Sequence, residues 1–251
     1  MKFMIDTDAK LLTIGDEKID LFSDEAFHIV SDLWLKVGWN QKYTYTFSWF
    51  DVPMIQLPAD MLRYQEVVFR LKPDVIVETG IAHGGSAVFS ASLCKLIGKG
   101  RVVAVDIDIR PHARERLRNH PMKPLITLIE GSSTAPEIVE QIRNEIRDAE
   151  TVLVMLDSDH SYAHVTNELN AYAPMVTAGS YIICTDGYMR SLTDVPRGSP
   201  DWLTDNPANA AIDFVANNHG FVIEEPTWPF NESDLKGNTT HWPEAWIKRV
   251  G

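Results

Sequence analysis

Two acids and an imidazole follow an apolar run in Val152-Leu153-Val154-Met155-Leu156-Asp157-Ser158-Asp159-His160. A second run, Tyr181-Ile182-Ile183-Cys184, ends in Thr185-Asp186-Gly187. Two hard carboxylates on neighbouring strand ends suit Mg²⁺ or another divalent cation, completed by water and substrate. An imidazole beside them can accept a proton near neutral pH. Asp157 and Asp186 are therefore metal candidates, and Asp157 and His160 catalytic candidates. Strand-end acids are frequent in such sequences, and a histidine there also serves as a simple cap, so the pattern alone leaves both readings open.

A second constellation lies upstream, in Val75-Ile76-Val77-Glu78-Thr79-Gly80-Ile81-Ala82-His83-Gly84-Gly85-Ser86. A buried strand breaks here into glycines that let backbone approach a ligand, and a helix N-terminus follows whose free N–H groups attract an anion. A dinucleotide site would read G-x-G-x-x-G. Here the spacing is Glu78-x-Gly80-x-x-x-Gly84-Gly85, and an acid two places before the first glycine can meet an ammonium group. That pattern suits S-adenosylmethionine better than NAD. Glu78, Gly80, His83, Gly84 and Ser86 are the candidates for holding it. The strand Arg101-Val102-Val103-Ala104-Val105-Asp106 ends in a carboxylate placed to hold ribose hydroxyls; Asp106 is the candidate and Asp108 its competitor. Ser132 and Ser133, after a strand near residues 126–129, are small polar groups suited to border an adenine ring.

These residues need a scaffold that brings strand ends together. From residue 74 onward strand and helix alternate, which predicts a parallel sheet covered by helices on both faces. Helices are expected at 87–97, 111–119, 136–147, 163–172 and 208–218, with further strands at 221–225 and 247–250. Upstream, residues 1–20 predict an extended arm or short strands. Ser23 caps a helix with apolar positions at Ala26, Ile29, Val30, Leu33 and Trp34, and Gly38 is expected to stop it. Asp60 opens another, ending at Lys72-Pro73. Between them Tyr43-Thr44-Tyr45-Thr46-Phe47-Ser48-Trp49-Phe50 reads as a half-buried strand or an irregular loop, with aromatic faces and hydroxyls suited to a sugar. Residues 188–207 form a long polar loop of the kind that serves as a lid. Trp228, Trp242 and Trp246 are expected to pack rather than bind.

With 251 residues the chain fits one large α/β domain with appendages. A net charge of -12 argues against a broad nucleic-acid or anionic-membrane surface. No apolar run reaches the roughly 20 residues of a membrane span, and the first residues lack a signal-peptide core, so the expectation is a cytoplasmic protein. Cys94 and Cys184 lie in apolar surroundings without metal spacing and read as reduced core thiols.

The motifs taken together, Lys72-Pro73-Asp74 through Gly80, His83-Gly84-Gly85-Ser86, Val105-Asp106-Ile107-Asp108, Glu130-Gly131-Ser132-Ser133 and Leu156-Asp157-Ser158-Asp159-His160, resemble the so-called cephalosporin hydroxylase family. Its members are class I S-adenosylmethionine-dependent methyltransferases. The sequence is also similar to the macrolide-sugar and rhamnosyl O-methyltransferases. The resemblance covers roughly residues 45–190. It implies a Rossmann-like, mostly parallel seven-stranded sheet over 61–251, preceded by an N-terminal helical and aromatic extension over 1–60. That extension is expected to cover the acceptor and to contribute to a homo-oligomer.

By the same resemblance Glu78, Gly80 and Ser86 hold the methionine part of the cofactor, Asp106 its ribose, Asp157 a Mg²⁺ ion, and His160 acts as base. The second metal position of the sugar methyltransferases is a Glu-Asp pair, where this chain has Thr185-Asp186. Asp186 matches and the Glu is lost, leaving Thr185, Asp159 or water to fill the gap, or the metal absent. The implied activity is O-methylation of a sugar hydroxyl in a glycan, glycolipid or glycosylated small molecule. The rivals are a catechol or phenol O-methyltransferase and a non-catalytic nucleotide-binding protein of the same fold. An iron oxygenase would need a two-His-one-carboxylate set, which the spacing does not offer.

Overall fold

The computed structural model of the protein describes residues 2–233 and 235–251. Three short strands, β1 (Phe3–Asp6), β2 (Leu11–Ile14) and β3 (Glu17–Asp20), form an antiparallel meander. Leu12 and Ile19 are its buried residues, and they pack on Ala26 of the next helix. That helix, α1 (Asp24–Asn40), starts at Ser23, whose hydroxyl accepts the Ala26 N–H. It runs through Gly38, because an interior glycine costs only about 1 kcal/mol and Trp39 beyond it packs with Leu35, Leu57, Tyr188 and Leu192. The expected apolar stripe does not enter the core. Ala26 and Leu35 are buried, whereas Phe27, Val30, Leu33, Trp34 and Val37 are 38–54% exposed.

The aromatic segment resolves into a one-turn 3-10 helix at Tyr43–Thr46 and a minimal hairpin of β4 (Ser48–Trp49) and β5 (Val52–Pro53). Phe50 and Asp51 both take positive φ, the geometry a two-residue hairpin turn needs. Helix α2 (Pro58–Leu71) begins at a proline, ahead of Asp60.

The core then alternates as β6 (Val75–Thr79), α3 (Gly85–Ile97), β7 (Arg101–Asp106), α4 (Pro111–Arg118), β8 (Ile126–Glu130), α5 (Pro136–Asn144), β9 (Val152–Leu156), α6 (Tyr162–Tyr172), β10 (Tyr181–Cys184), α7 (Pro207–Asn217), β11 (Phe221–Ile223) and β12 (Trp246–Arg249). Helix α5 stops short of residue 147 because Arg101 ion-pairs with Glu150, and Glu150 in turn accepts the Arg147 N–H at 2.8 Å. The polar loop after β10 carries two 3-10 turns, Gly187–Ser191 and Pro200–Leu203.

The seven strands lie in the order β11-β12-β10-β9-β6-β7-β8, with β12 antiparallel to both its neighbours. Side chains alternate across this sheet, as period-2 geometry requires. Ile76, Val102, Leu153 and Ile183 face α2 and α3, while Val77, Val103, Val154 and Ile182 face α5, α6 and α7. Each such fully buried aliphatic side chain contributes about 1.5–3 kcal/mol. Trp242 and Trp246 pack in the core, and Trp228 lies against the Arg63 guanidinium at 4.2 Å. Both cysteines are free and buried. Burial pushes the Cys94 thiol up to about 11, too high for it to be ionised near neutral pH. Among the described residues no helix is long and apolar enough to cross a membrane.

Candidate functional site

Parallel register decides which strand ends meet. Thr79 of β6 pairs with Val105 of β7 and Leu156 of β9, and Leu156 pairs with Cys184 of β10. Asp157 therefore emerges between the ends of β6 and β10, its N–H bound to the Thr79 carbonyl at 2.9 Å. Gly80 sits against it so closely that a Cβ there would lie 2.1 Å from the Asp157 carbonyl oxygen. Only glycine fits, and its φ of +79° suits glycine as well.

A cavity of about 480 Å³ opens over these ends. Of the cofactor candidates, Gly80, His83, Ser86, Asp106, Ser132, Ser133 and Asp157 line it. Glu78, Gly84 and Asp108 do not. Gly84 is the N-cap of α3, packed on Leu117. Asp108 is exposed and gives its N–H to Asp106 at 3.1 Å. Asp106 holds the turn from the other side, accepting the N–H groups of Ile81 and Ala82 at 2.9 and 3.1 Å. With three N–H bonds on about four lone-pair positions, it retains an acceptor for a hydroxyl.

Glu78 lies fully buried one layer below the cavity. The Ser86 hydroxyl donates to its Oε1, and its Oε2 has no hydrogen-bond partner among the described residues. Burial pushes its carboxyl up to about 8; the Ser86 bond opposes this and the charge of Asp106 adds to it. An orphaned buried carboxylate oxygen is costly, and a cationic group arriving through the Ser86 side of the cavity would relieve it.

On the wall of this cavity, Ser133 and Ser158 both lie within hydrogen-bond distance of His164 Nε2, at 3.2 and 3.1 Å. Ser158 also donates to Glu168 Oε1 at 2.7 Å. Glu168 is wholly buried, and its hydrogen bond raises the His164 pKa against the opposing effect of burial. His164 and Ser158 escaped the reading of the sequence. The spacing of His164 and Glu168, one helical turn apart, was the available signal.

The second group gathers at β9 and β10. Asp157, His160 and Asp186 offer ligand atoms that all lie within 4.8 Å of one another. His160 Nε2 is 3.5 Å from Asp186 Oδ2. Thr185, the third metal candidate, stands beside Asp157: its hydroxyl donates to the Leu156 carbonyl at 3.0 Å and to Asp157 Oδ1. It buttresses Asp157, and His160 occupies the place beside the two aspartates. Burial and the charge of Asp186 hold the Asp157 pKa well above the usual carboxylate range, with the Thr185 bond opposing. Two crowded carboxylates of this kind fit a cation. Asp186 itself takes φ +58°, a left-handed conformation that costs energy outside glycine.

A smaller cavity of about 240 Å³ lies beyond, with Asp186, Ile55, Gln56, Trp39, Trp202 and His241 in its wall. Thr44 and Tyr45 of the aromatic segment also line it, while Trp49 packs inward and donates to Ser92 at 3.1 Å. Gln56, only 4% exposed, borders both cavities, and its amide donates to Asp157 Oδ2 at 2.8 Å. No local sequence pattern signals Gln56, because its partner is distant in the chain. His160 lines neither cavity.

A family model described as rhamnosyl O-methyltransferase/CmcI matches residues 41–250 of this chain. A rhamnosyl O-methyltransferase of Mycobacterium leprae is 36% identical over 159 residues, covering 61% of this chain and 65% of the relative. One from Mycobacterium tuberculosis is 34% identical over 149 residues, with 57% of each chain covered. The chain thus spans less than two thirds of the length of these relatives. Among solved structures, CmcI with Mg and SAM aligns with a TM-score of 0.54 at 18% identity, over 82% of this chain and 78% of that one. An O-methyltransferase from Bacillus cereus in complex with SAH aligns with a TM-score of 0.51 at 15% identity, over 76% and 81%. At such identities these two likenesses speak for the fold alone.

Proposed function

This chain belongs to the rhamnosyl O-methyltransferase/CmcI family, and from that membership and its two adjoining cavities we propose that it is an S-adenosylmethionine-dependent O-methyltransferase acting on a sugar hydroxyl. The observation that carries the reading is the meeting of the two cavities at Gln56, which lines both and donates to Asp157 in the wall of the larger one. One has the dimensions and donor set of a nucleoside cradle. The other has aromatic walls and ends at Asp186.

The larger cavity fits the cofactor on its own chemistry. The Glu78 oxygen left without a partner suits the methionine ammonium, Asp106 keeps an acceptor for the ribose, and Ser133, Ser158 and His164 present polar atoms to the base. Bound there, S-adenosylmethionine supplies an electrophilic methyl group, so the protein's task is to align a nucleophile behind it. Asp157 and Asp186 are the pair that would hold a divalent cation, whose charge lowers the pKa of a nearby hydroxyl. His160, half-buried beside Asp186, accepts the proton as the acceptor oxygen commits its lone pair. Thr185 and Gln56 fix the Asp157 carboxylate from two sides.

Residues 1–60 serve as the extension that covers the acceptor, since Trp39, Tyr45 and Gln56 reach the smaller cavity from there. The exposed apolar face of α1 is the surface through which copies associate. The test is direct. Protein supplied with S-adenosylmethionine and a panel of sugars and phenols should transfer one methyl group, read by mass spectrometry, to a sugar hydroxyl. Transfer to phenols alone would replace the sugar reading. Cofactor binding without transfer to any acceptor would favour a non-catalytic role.

A further inference from the structure

The smaller cavity carries information about the acceptor that the family resemblance does not. Its inner end is built from Gln56, His241 and the half-buried Asp186. His241 is 5% exposed, stacked on Tyr188 at 5.7 Å and met edge-on by Trp39 at 5.3 Å. Among the described residues, no hydrogen bond reaches its ring nitrogens. A buried imidazole on a cavity wall without a partner is a group set aside for a ligand. The backbone that carries it is fixed: the buried Asp60 accepts the His241 N–H at 3.0 Å and the Thr240 hydroxyl.

The outer end has the opposite charge. Lys42 and Arg197 line the cavity there, both exposed. The protein has 35 acidic against 23 basic residues, and several of its cations are neutralised by those acids, as Lys36 is by Asp194, Arg63 by Glu66 and Arg190 by Glu244. Among the described residues neither Lys42 nor Arg197 has a carboxylate within ion-pair distance. Lys42 instead lies over the Tyr45 ring at 4.9 Å. Two unpaired cations at the mouth of one cavity, on an acidic protein, form a local positive field aimed at whatever enters. A cavity of about 240 Å³ is smaller than the ~300 Å³ at which drug-sized ligands are enclosed. It has room for one ring against the Trp39–Trp202 pair, whose own rings meet edge to face at 6.1 Å, and leaves the ring's substituents at the mouth.

We propose that the acceptor is an acidic sugar, whose ring packs against the Trp39–Trp202 pair with a hydroxyl toward His241 and whose carboxylate or phosphate is held by Lys42 and Arg197. The inference rests on the methyltransferase reading above and names its acceptor class. Phosphate and carboxylate share the chemistry that Lys42 and Arg197 recognise, and the arms of the test separate them.

The experiment uses the full chain saturated with S-adenosylhomocysteine, whose own binding is measured first by calorimetry. Glucuronate, glucose 1-phosphate and glucose are then titrated at low and moderate salt by saturation-transfer NMR. At least one anionic probe should bind about tenfold or more tighter than glucose, and the preference should shrink as salt screens it. The variant Lys42→Gln/Arg197→Gln should lose that preference while its affinity for S-adenosylhomocysteine and for glucose is unchanged. His241→Phe should weaken all three sugars together. Equal binding of glucose and both anions, an undiminished preference in the double variant, or no binding of any probe at millimolar concentration would each overturn the proposal. Each of these leaves the methyltransferase reading standing as long as S-adenosylhomocysteine binds. Absence of that binding would instead remove the reading on which the proposal rests.

Discussion

Gln56 donates its amide to Asp157 Oδ2 at 2.8 Å across 101 residues of chain. The bond joins the loop after β5 to the end of β9 and separates the two cavities. Since Thr185 holds the other oxygen of the same carboxylate, Asp157 is fixed at both ends. Replacing Gln56 with Leu leaves Asp157 Oδ2 buried without its donor. Gln56→Leu should lower kcat by about tenfold or more, with a smaller change in cofactor affinity, because positioning within a fraction of an ångström carries the rate. Steady-state kinetics beside calorimetry would check this; a change in cofactor affinity alone would show that Gln56 merely shapes the cofactor cavity.

The cofactor assignment is tested by Glu78→Gln and Asp106→Ala. Each should weaken S-adenosylmethionine binding by more than tenfold, on the order of 1.4 kcal/mol or more. With its carboxyl at about 8, Glu78 is largely protonated at pH 7 in the free protein. A cofactor ammonium that pairs with it should drive the proton off. Calorimetry in buffers of different ionisation enthalpy should therefore detect proton release on binding by the parent protein and none by Glu78→Gln. Unchanged affinity in both variants would sink the assignment.

His160 stands beside Asp186 at 3.5 Å, a position open to a proton acceptor and to a metal ligand. If it is the base, His160→Ala should keep cofactor and metal yet lose about 10²–10⁴ in rate. Metal content by atomic emission and turnover should then part company. Loss of metal together with rate would make His160 a ligand instead. Asp186→Asn should lose the metal in either case, and EDTA should stop turnover until Mg²⁺ is restored.

Asp60 gives a prediction about stability. Burial raises its carboxyl from 3.8 to about 8, with the Thr240 and His241 bonds opposing. A group whose folded pKa is raised binds its proton more tightly when folded, so its contribution is complete below pH 3.8 and is lost as pH rises toward 8. The slope over that window is negative, with a total up to about 6 kcal/mol for a shift of this size. Urea unfolding at pH 5.5 and pH 8.5 should find the protein less stable at the higher pH. Asp60→Asn should reduce that difference. Glu78 acts in the same sense, so some slope should persist.

The exposed apolar face of α1 is the basis for expecting association. Leu33→Glu/Trp34→Glu places charge on residues that are 40% and 46% exposed, which a monomer would tolerate. Light scattering of the parent protein at micromolar concentration should give a multiple of 28.3 kDa, and the variant should fall toward the single chain mass. A monomer mass for the parent would leave this face without a partner.

The sequence by itself determined the sheet and most of its contents. Runs such as Val152–Leu156 and Arg101–Asp106 are continuous apolar segments bounded by turn residues, and such segments become central strands wherever both faces are covered. The acids and glycines at their ends were legible for the same reason, since a strand end in this topology faces the ligand. The helix over 87–97 and the cap at Ser23 follow from local chemistry alone.

Tertiary structure decided what local chemistry leaves open. Register brought Asp157 beside Thr185 and set that hydroxyl on its carboxylate, while the loop after β9 carried His160 to Asp186. The stripe on α1 has the right period for a core helix, yet only Ala26 and Leu35 are buried, because periodicity reports an apolar face and not what covers it. Gln56 and His241 were invisible for a different reason. Each acquires its place from residues on other elements, and only the folded chain sets a glutamine from the β5 loop and a histidine from the tail around the same two cavities.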